Sequence, residues 1–125
     1  MKKFLFCALS LMACAVSGMA QEIRFNKTTH DFGKFSSQKP VVSCEFTFTN
    51  VGDKPLVINQ AVASCGCTAP AFTKSPVMPG KTGVVKVTYN GKDRFPGAFK
   101  KAITVRSNAK KDEIVRLFII GEMTK

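Results

Sequence analysis

The stretch VVSCEFTFT (residues 41–49) alternates apolar and polar residues from Val42 onward. Residues two apart in a strand point to the same face, so this pattern places one face against a core and the other in water. The apolar face contains Val42, Cys44, Phe46 and Phe48, and the polar face contains Ser43, Glu45, Thr47 and Thr49. We therefore predict a half-buried β-strand at these positions.

Similar strand patterns recur along the chain, separated by residues that favour turns. Residues 50–55 form such a turn cluster, and Asn90-Gly91 tolerates the positive φ of a tight turn. No window shows an apolar helical stripe with caps over about ten residues. Short strands at roughly 8- to 12-residue spacing predict an all-β fold, an immunoglobulin-like antiparallel β-sandwich of about seven strands. Further strands are expected around residues 22–25, 29–32, 56–58, 84–89, 99–105 and 114–121.

The first twenty residues are typical of a secretory signal peptide. Met1-Lys2-Lys3 is a positive start, residues 4–16 are almost wholly apolar, and residues 17–20 supply small side chains before a cleavage point. The apolar part is shorter than the roughly 20 residues that span a bilayer. We expect residues 1–20 to be removed and residues 21–125 to form one soluble domain, periplasmic or extracellular. The alternative is a lipoprotein anchored through Cys14, because Leu11-Met12-Ala13-Cys14 resembles a lipobox.

The composition and charge narrow the classes of partner. With 45% hydrophobic and 22% charged residues, the chain is neither disordered nor a multi-pass membrane protein. The net charge of +11, or +9 without Lys2 and Lys3, raises nucleic acid and anionic surfaces as partners. The lysines are spread over nearly every expected strand and turn, whereas nucleic-acid readers gather basic residues on one face. We expect no nucleic-acid partner and a weak attraction to anionic surfaces.

Short motifs are distributed along the predicted domain. They are His30-Asp31-Phe32-Gly33, Phe46-Thr47-Phe48-Thr49-Asn50-Val51-Gly52, Pro55-Leu56-Val57-Ile58, Ser64-Cys65-Gly66-Cys67-Thr68, Pro79-Gly80 and Ser107-Asn108. Together they resemble the bacterial family called domain of unknown function 1573, and the segment with two cysteines is their most specific element. The resemblance implies an exported immunoglobulin-like domain, similar to Hydin-type and major-sperm-protein-like folds. It implies no reaction, since none is established for the family.

Three cysteines remain after removal of the leader, namely Cys44, Cys65 and Cys67. The number is odd, so at least one is free or pairs outside the chain. In an extended segment Cys65 and Cys67 present both sulfurs on one side, with about 6.6 Å between their Cα atoms. Gly66 allows a bend that would shorten this distance, and the small ring would be easily reduced.

Four interpretations of the cysteine pair remain open. In the first, a disulfide stabilises the fold, and it joins Cys65 to Cys67 or joins one of them to Cys44. In the second, the two cysteines are a labile thiol pair that exchanges electrons or disulfides with a partner. In the third, they bind a soft metal such as Cu(I), with Met78 or His30 as a further ligand. Finally, one thiol forms a disulfide to another protein.

The remaining candidate residues have structural explanations. Cys44 shares the aromatic face of its strand and is expected to act as a small buried hydrophobe. His30 beside Asp31 is typical of a hydrogen-bonded turn residue rather than a base. Since no paired carboxylates or nucleophile motif are found, we expect no catalytic residue, no enzyme and no cofactor. Phe72 and Phe95 lie in loops, where we expect them to close the ends of the sandwich rather than anchor a partner.

The sequence favours an exported, non-catalytic binding or structural module of the bacterial cell envelope, with a protein or other envelope component as its partner. Its expected working surface is the loop that contains Ser64, Gly66 and Thr68, where thiols are available. The alternative is a thiol-redox or copper-handling protein that uses Cys65 and Cys67.

Overall fold

The computed structural model describes residues 20–125, and this part of the chain folds into two packed β-sheets. Nearly all of the predicted signal peptide lies outside the described residues, and so does Cys14, the site of the alternative lipid anchor. Within residues 20–125 no helix is long and apolar enough to cross a membrane. The strands of this described part are β1 (Ile23–Phe25), β2 (Thr29–Ser36), β3 (Val41–Asn50), β4 (Ile58–Ala63), β5 (Thr68–Phe72), β6 (Thr82–Asn90), β7 (Gly97–Ser107) and β8 (Ile114–Thr124).

The two sheets have the strand orders β1-β3-β6-β5 and β2-β8-β7-β4. The immunoglobulin-like sandwich predicted from the sequence is confirmed, with eight strands in the described chain and one parallel pair, β2 with β8. The register of that pair shifts between Asp31 and Lys34. There Gly33 adopts a φ of 70° and donates its N–H to Asp31 Oδ1 over 2.8 Å. This bulge interrupts the alternation along β2, which explains why the sequence indicated only a short strand here.

The core lies between the two sheets and is built from their inward faces. Phe46 and Phe48 of β3 are wholly buried, and so are Val85 and Val87 of β6. The second sheet contributes the similarly buried Ile103, Leu117 and Ile119. The alternation that predicted β3 therefore corresponds to the buried face of that strand.

Asn50 fixes the turn that follows β3. Its side chain is fully buried, and its amide donates to the carbonyls of Lys54 over 2.7 Å and Val77 over 2.8 Å. Its carboxamide oxygen accepts the N–H of Gly52 over 2.9 Å. A buried amide with its hydrogen-bonding groups satisfied ties this turn to the segment before β6.

Two connections lie at the same end of the sandwich, because β5 pairs with β6 with Thr68 opposite Tyr89. One connection, residues 64–67, joins β4 to β5, and the other, residues 91–96, joins β6 to β7. We call residues 64–68 together with residues 91–96 the disulfide end.

Candidate functional site

The Cys65–Cys67 disulfide forms the connection between β4 and β5. Its Cα atoms are 5.2 Å apart, closer than in an extended segment, so the chain bends at Gly66. Ser64 is joined to Ala102 of β7 by two hydrogen bonds. The Ser64 amide donates to the Ala102 carbonyl over 2.9 Å, and the Ala102 amide donates to the Ser64 hydroxyl over 3.1 Å. The second sheet therefore holds the start of the bridged segment.

The sulfur of Cys65 accepts two hydrogen bonds. The backbone N–H of Cys67 donates to Cys65 Sγ over 3.1 Å, and Nη2 of Arg94 donates to the same sulfur over 3.2 Å. Within residues 20–125 the one ion pair joins Lys111 to Glu22, so no described carboxylate pairs with Arg94. A guanidinium beside a sulfur favours its thiolate form. The arrangement therefore stabilises negative charge on Cys65 if the disulfide opens.

The sulfur of Cys67 has a different environment. Its polar neighbour is the hydroxyl of Thr68, 3.7 Å away. Thr68 itself is buried and begins strand β5, rather than lying in the exposed loop as expected. Cys67 also lines an open depression of about 340 Å³, which Cys65 does not line. The other lining residues are Gly66, Asn90, Lys92, Asp93 and Arg94. The two cysteines of the pair are thus not equivalent, since Cys67 packs partly against the core and also lines this depression.

The connection between β6 and β7 places Arg94 beside the disulfide. Asn90 donates its amide N–H to the carbonyl of Cys67 over 2.8 Å, which joins the two connections. The amide of Arg94 donates to the carbonyl of Gly91 over 3.0 Å, and Asp93 adopts the left-handed conformation with a φ of 65°. Asp is one of the few side chains that tolerate this conformation. The tight loop that results directs Arg94 back toward Cys65.

Phe95 is 97% exposed, so the prediction that it closes the end of the sandwich is wrong. The tight loop before it carries the ring away from the core. Phe95 instead borders a second depression of about 390 Å³ with Tyr89 and Phe99, whose stacked rings are 4.1 Å apart between centroids. Phe72, by contrast, is half-buried and packs against the core as predicted, although it ends strand β5 rather than lying in a loop. The disulfide end therefore presents an exposed aromatic ring beside basic residues.

The disulfide closes a very short loop, so it removes little conformational entropy from the unfolded chain. In the chain-entropy model, stabilisation grows with the length of the closed loop, and about 15 residues give about 3 kcal/mol. Cys65 and Cys67 are separated by two positions in sequence, for which the same relation gives about 1.5 kcal/mol. The entropic stabilisation by this bond is therefore about half of that expected for a bridge that closes a 15-residue loop.

Cys44 does not join the pair. It lies on β3 opposite Val87, is half-buried against the core, and is the free thiol of the described chain. Burial raises its pKa to about 11, and the charge of Glu45 adds to this rise while Lys27 opposes it. Cys44 is thus a poor nucleophile at neutral pH, and its packing fits the expected role as a small hydrophobe.

The proposed further metal ligands lie away from the disulfide. Met78 is exposed before the start of β6, whereas Cys67 lies beside the other end of this strand, roughly 25 Å away. His30 lies on β2, and β2 and β4 are opposite edges of one four-stranded sheet, about 14 Å apart. No group of three His, Cys, Asp or Glu side chains within residues 20–125 is placed to hold a metal.

His30 is engaged in contacts on its own strand. It accepts a hydrogen bond at Nδ1 from Lys27 Nζ over 2.8 Å and packs edge-on against Phe32, with 4.8 Å between centroids. Partial burial and the charge of Lys27 lower its pKa, against an opposing effect of Asp31. His30 is therefore hydrogen-bonded as expected, although it lies in a strand rather than a turn.

Sequence reasoning missed Arg94. It is separated from Cys65 by 29 positions, and only the pairing of β5 with β6 brings the two together. One feature of the sequence could have drawn attention to Arg94. It is an Arg in a chain whose basic residues are mostly Lys, and it follows the Asn90-Gly91 turn.

Comparison with known proteins gives one family and a set of similar folds. A family described as protein of unknown function (DUF1573) matches residues 23–123. Comparison with the curated proteins gives no significant match.

Solved structures share the fold at low sequence identity. A protein of unknown function from Porphyromonas gingivalis W83 has a TM-score of 0.70 and 14% identity over 82% of this chain, which spans 46% of that protein. A PapD-like domain of human CEP192 has a TM-score of 0.66 and 8% identity over 85% of this chain and 87% of that one. The periplasmic chaperone SfaE has a TM-score of 0.59 and 10% identity over 82% of this chain and 58% of that one.

These similar structures are PapD-like immunoglobulin-like sandwiches, in agreement with the two packed sheets described above. The family match extends from the first strand to the last. The chain therefore belongs to the family of proteins of unknown function DUF1573.

Proposed function

We propose that the chain is an exported, non-catalytic immunoglobulin-like module that binds a protein partner in the bacterial cell envelope through its disulfide end. The observation that carries the proposal is the 97% exposure of Phe95 beside Arg94. A phenylalanine left in water forgoes about 1.5–3 kcal/mol that burial would give. Aromatic and arginine side chains are also the residues that contribute most to binding at protein interfaces.

The surroundings of Phe95 define the chemistry of the partner. The depression between Phe95 and the Tyr89–Phe99 stack accommodates an apolar side chain. Lys92, Arg94 and Lys101 line the two depressions, with Asp93 as the acidic residue among the lining positions. An apolar residue flanked by carboxylates would complement this surface in both shape and charge.

Two further observations support the envelope as the place of binding. Residues 1–20 have the order of a signal peptide, and disulfides such as Cys65–Cys67 persist in exported compartments. One structural neighbour, SfaE, is a periplasmic chaperone, which is a precedent for a sandwich of this fold that acts on proteins in the periplasm.

Site-specific photo-crosslinking in the living bacterium tests the proposal. A photoreactive phenylalanine analogue is placed at position 95 and, as a matched control, at exposed Met78 beyond the opposite end of β6. We expect a discrete crosslinked species from position 95 and none from position 78. Equal crosslinking from both positions would contradict a defined binding end.

Charge reversal tests the nature of the partner in the same assay. We expect Arg94→Glu to reduce the crosslink from position 95 at least tenfold, because it places a carboxylate opposite an acidic surface. Lys110→Glu is the control, since Lys110 is an exposed basic residue in the connection after β7, at the other end. A crosslink that survives Arg94→Glu, or that is lost equally with Lys110→Glu, would reject the acidic partner.

A further inference from the structure

We propose that the Cys65–Cys67 disulfide is exchangeable and has a fixed direction: an incoming thiolate attacks Cys67 Sγ, and Cys65 leaves as a thiolate held by Arg94. The incoming group belongs to a cysteine of a partner protein. The chemistry itself does not rest on the proposed function, because a small thiol can carry out the same attack without docking.

The leaving group is identified by its hydrogen bonds. Cys65 Sγ accepts the N–H of Cys67 over 3.1 Å and that of Arg94 over 3.2 Å. Both donors are already in place before the bond breaks, and the guanidinium carries a full charge. Hydrogen bonds to a charged partner are roughly twice as strong as neutral ones, so both contacts strengthen as charge develops on this sulfur. In thiol–disulfide exchange the sulfur with the lower thiol pKa leaves faster.

The point of attack follows from the leaving group, because a thiolate that displaces Cys65 must form its bond to Cys67. Cys67 lines the depression of about 340 Å³ together with Lys92 and Arg94, and Cys65 does not line it. Cys67 is half-buried and packs partly against the core, so we take the depression, with the cationic side chains of Lys92 and Arg94, as the side from which the thiolate approaches. Attack at this sulfur also leaves the Cys65–Arg94 hydrogen bond in place during the reaction.

The step is balanced without an added oxidant. The electron pair of the incoming thiolate forms a sulfur–sulfur bond to Cys67, and the pair of the broken bond moves to Cys65 as a thiolate. A second thiolate of the partner can then attack the partner's sulfur in the mixed disulfide and release Cys67 as a thiolate. Two thiols of the partner become a disulfide, and two electrons remain on Cys65 and Cys67.

A reaction with glutathione tests the direction on the purified, oxidised protein. The mixture is quenched with N-ethylmaleimide after short times, and the modified peptide is mapped by fragmentation mass spectrometry. We expect glutathione on Cys67 and the maleimide on Cys65 in at least nine-tenths of the opened molecules. Glutathione on Cys65, or on both cysteines equally, would overturn the proposal.

The role of Arg94 is tested by the rate of opening. We expect Arg94→Gln to slow the reaction roughly three- to tenfold, because the departing Cys65 thiolate loses its charged hydrogen-bond donor. Arg94→Lys, which keeps the positive charge, should recover part of the rate. Lys110→Gln serves as the control for lost surface charge. An unchanged rate in Arg94→Gln would overturn the assigned role, and unchanged melting temperatures would confirm that folding is not the cause.

A second measurement compares the acidity of the two thiols in variants that cannot form the disulfide. The pH dependence of alkylation gives the thiol pKa of Cys65 in Cys67→Ser and that of Cys67 in Cys65→Ser. We expect the lower pKa at Cys65 and expect Arg94→Gln to remove the difference. This result does not depend on a docked partner. The proposed function can therefore fail while this inference holds, and this inference can fail while the proposed function holds.

Discussion

The three cysteines of the described chain differ in what surrounds each sulfur. Cys44 and Cys67 both pack against the apolar core, but Cys67 also lines an open depression, whereas Cys65 accepts a hydrogen bond from a guanidinium. Burial disfavours a thiolate at Cys44, whereas Arg94 favours one at Cys65. Local environment thus assigns a different role to each of three chemically identical side chains.

The buried thiol has a predictable effect on stability. The pKa of Cys44 is raised by burial from 9.0 to about 11 in the folded protein. Between these values the folded state retains a proton that the unfolded state has lost, so the free energy of unfolding falls as pH rises. We expect urea denaturation to show a smaller loss of stability from pH 8 to pH 10.5 in Cys44→Ala than in wild type. The two proteins share every other ionisable group, so the difference between their pH profiles reports on Cys44 alone. Parallel profiles would contradict this assignment.

At the level of strands, the packing of β3 on its neighbour β6 depends on one glycine. Gly83 of β6 lies opposite Phe48 of β3, and a Cβ at position 83 would collide with the Phe48 ring. The phenylalanine is fully buried, so its ring has little room to move. The alternating pattern predicted both strands, and the missing side chain at Gly83 leaves the space that the Phe48 ring occupies.

A double-mutant cycle tests this contact. We expect Gly83→Ala to cost about 1–3 kcal/mol of stability, since overpacking forces the ring out of place. Phe48→Leu should make room for the added methyl group, so the double variant should be less destabilised than the sum of the two single variants. Chemical denaturation measures all three. If the destabilisation of the double variant equals the sum of the two single effects, the Phe48 ring does not restrict the space at position 83.

Local patterns predicted the strands well, whereas contacts between distant segments could not be predicted. Alternation over residues 41–49 is a local property, and it identified β3 and its buried face. The parallel pairing of β2 with β8 and the contact of Arg94 with Cys65 depend on which strands become neighbours, which no single window of sequence records. Phe95 was misassigned because the direction of the 91–96 loop depends on backbone conformation at Asp93 rather than on hydrophobicity.

Across the whole molecule, the features that suggest function collect at one end. The topology joins β4 to β5 and β6 to β7 at the disulfide end, which places the disulfide, Arg94 and Phe95 on one surface. Basic residues are spread widely along the sequence, and at the disulfide end Lys92, Arg94 and Lys101 line the depressions beside the exposed Phe95 ring and the disulfide. Binding and disulfide exchange would therefore use adjacent residues, and a docked partner would bring its own cysteine to Cys67.

A trapped mixed disulfide tests this account most directly. In Cys65→Ser the free Cys67 thiolate attacks the partner's disulfide, which is the reverse of the second exchange step, and the partner's other sulfur leaves as a thiolate. Because the Cys65 thiol that would displace the partner from Cys67 is missing, this disulfide-linked species should accumulate in the native envelope and appear on non-reducing gels. We predict that Phe95→Ser in the Cys65→Ser background reduces this species at least tenfold, and that Cys67→Ser alone yields much less of it. The same species in equal amount from Cys67→Ser, or its persistence in Phe95→Ser, would contradict the account.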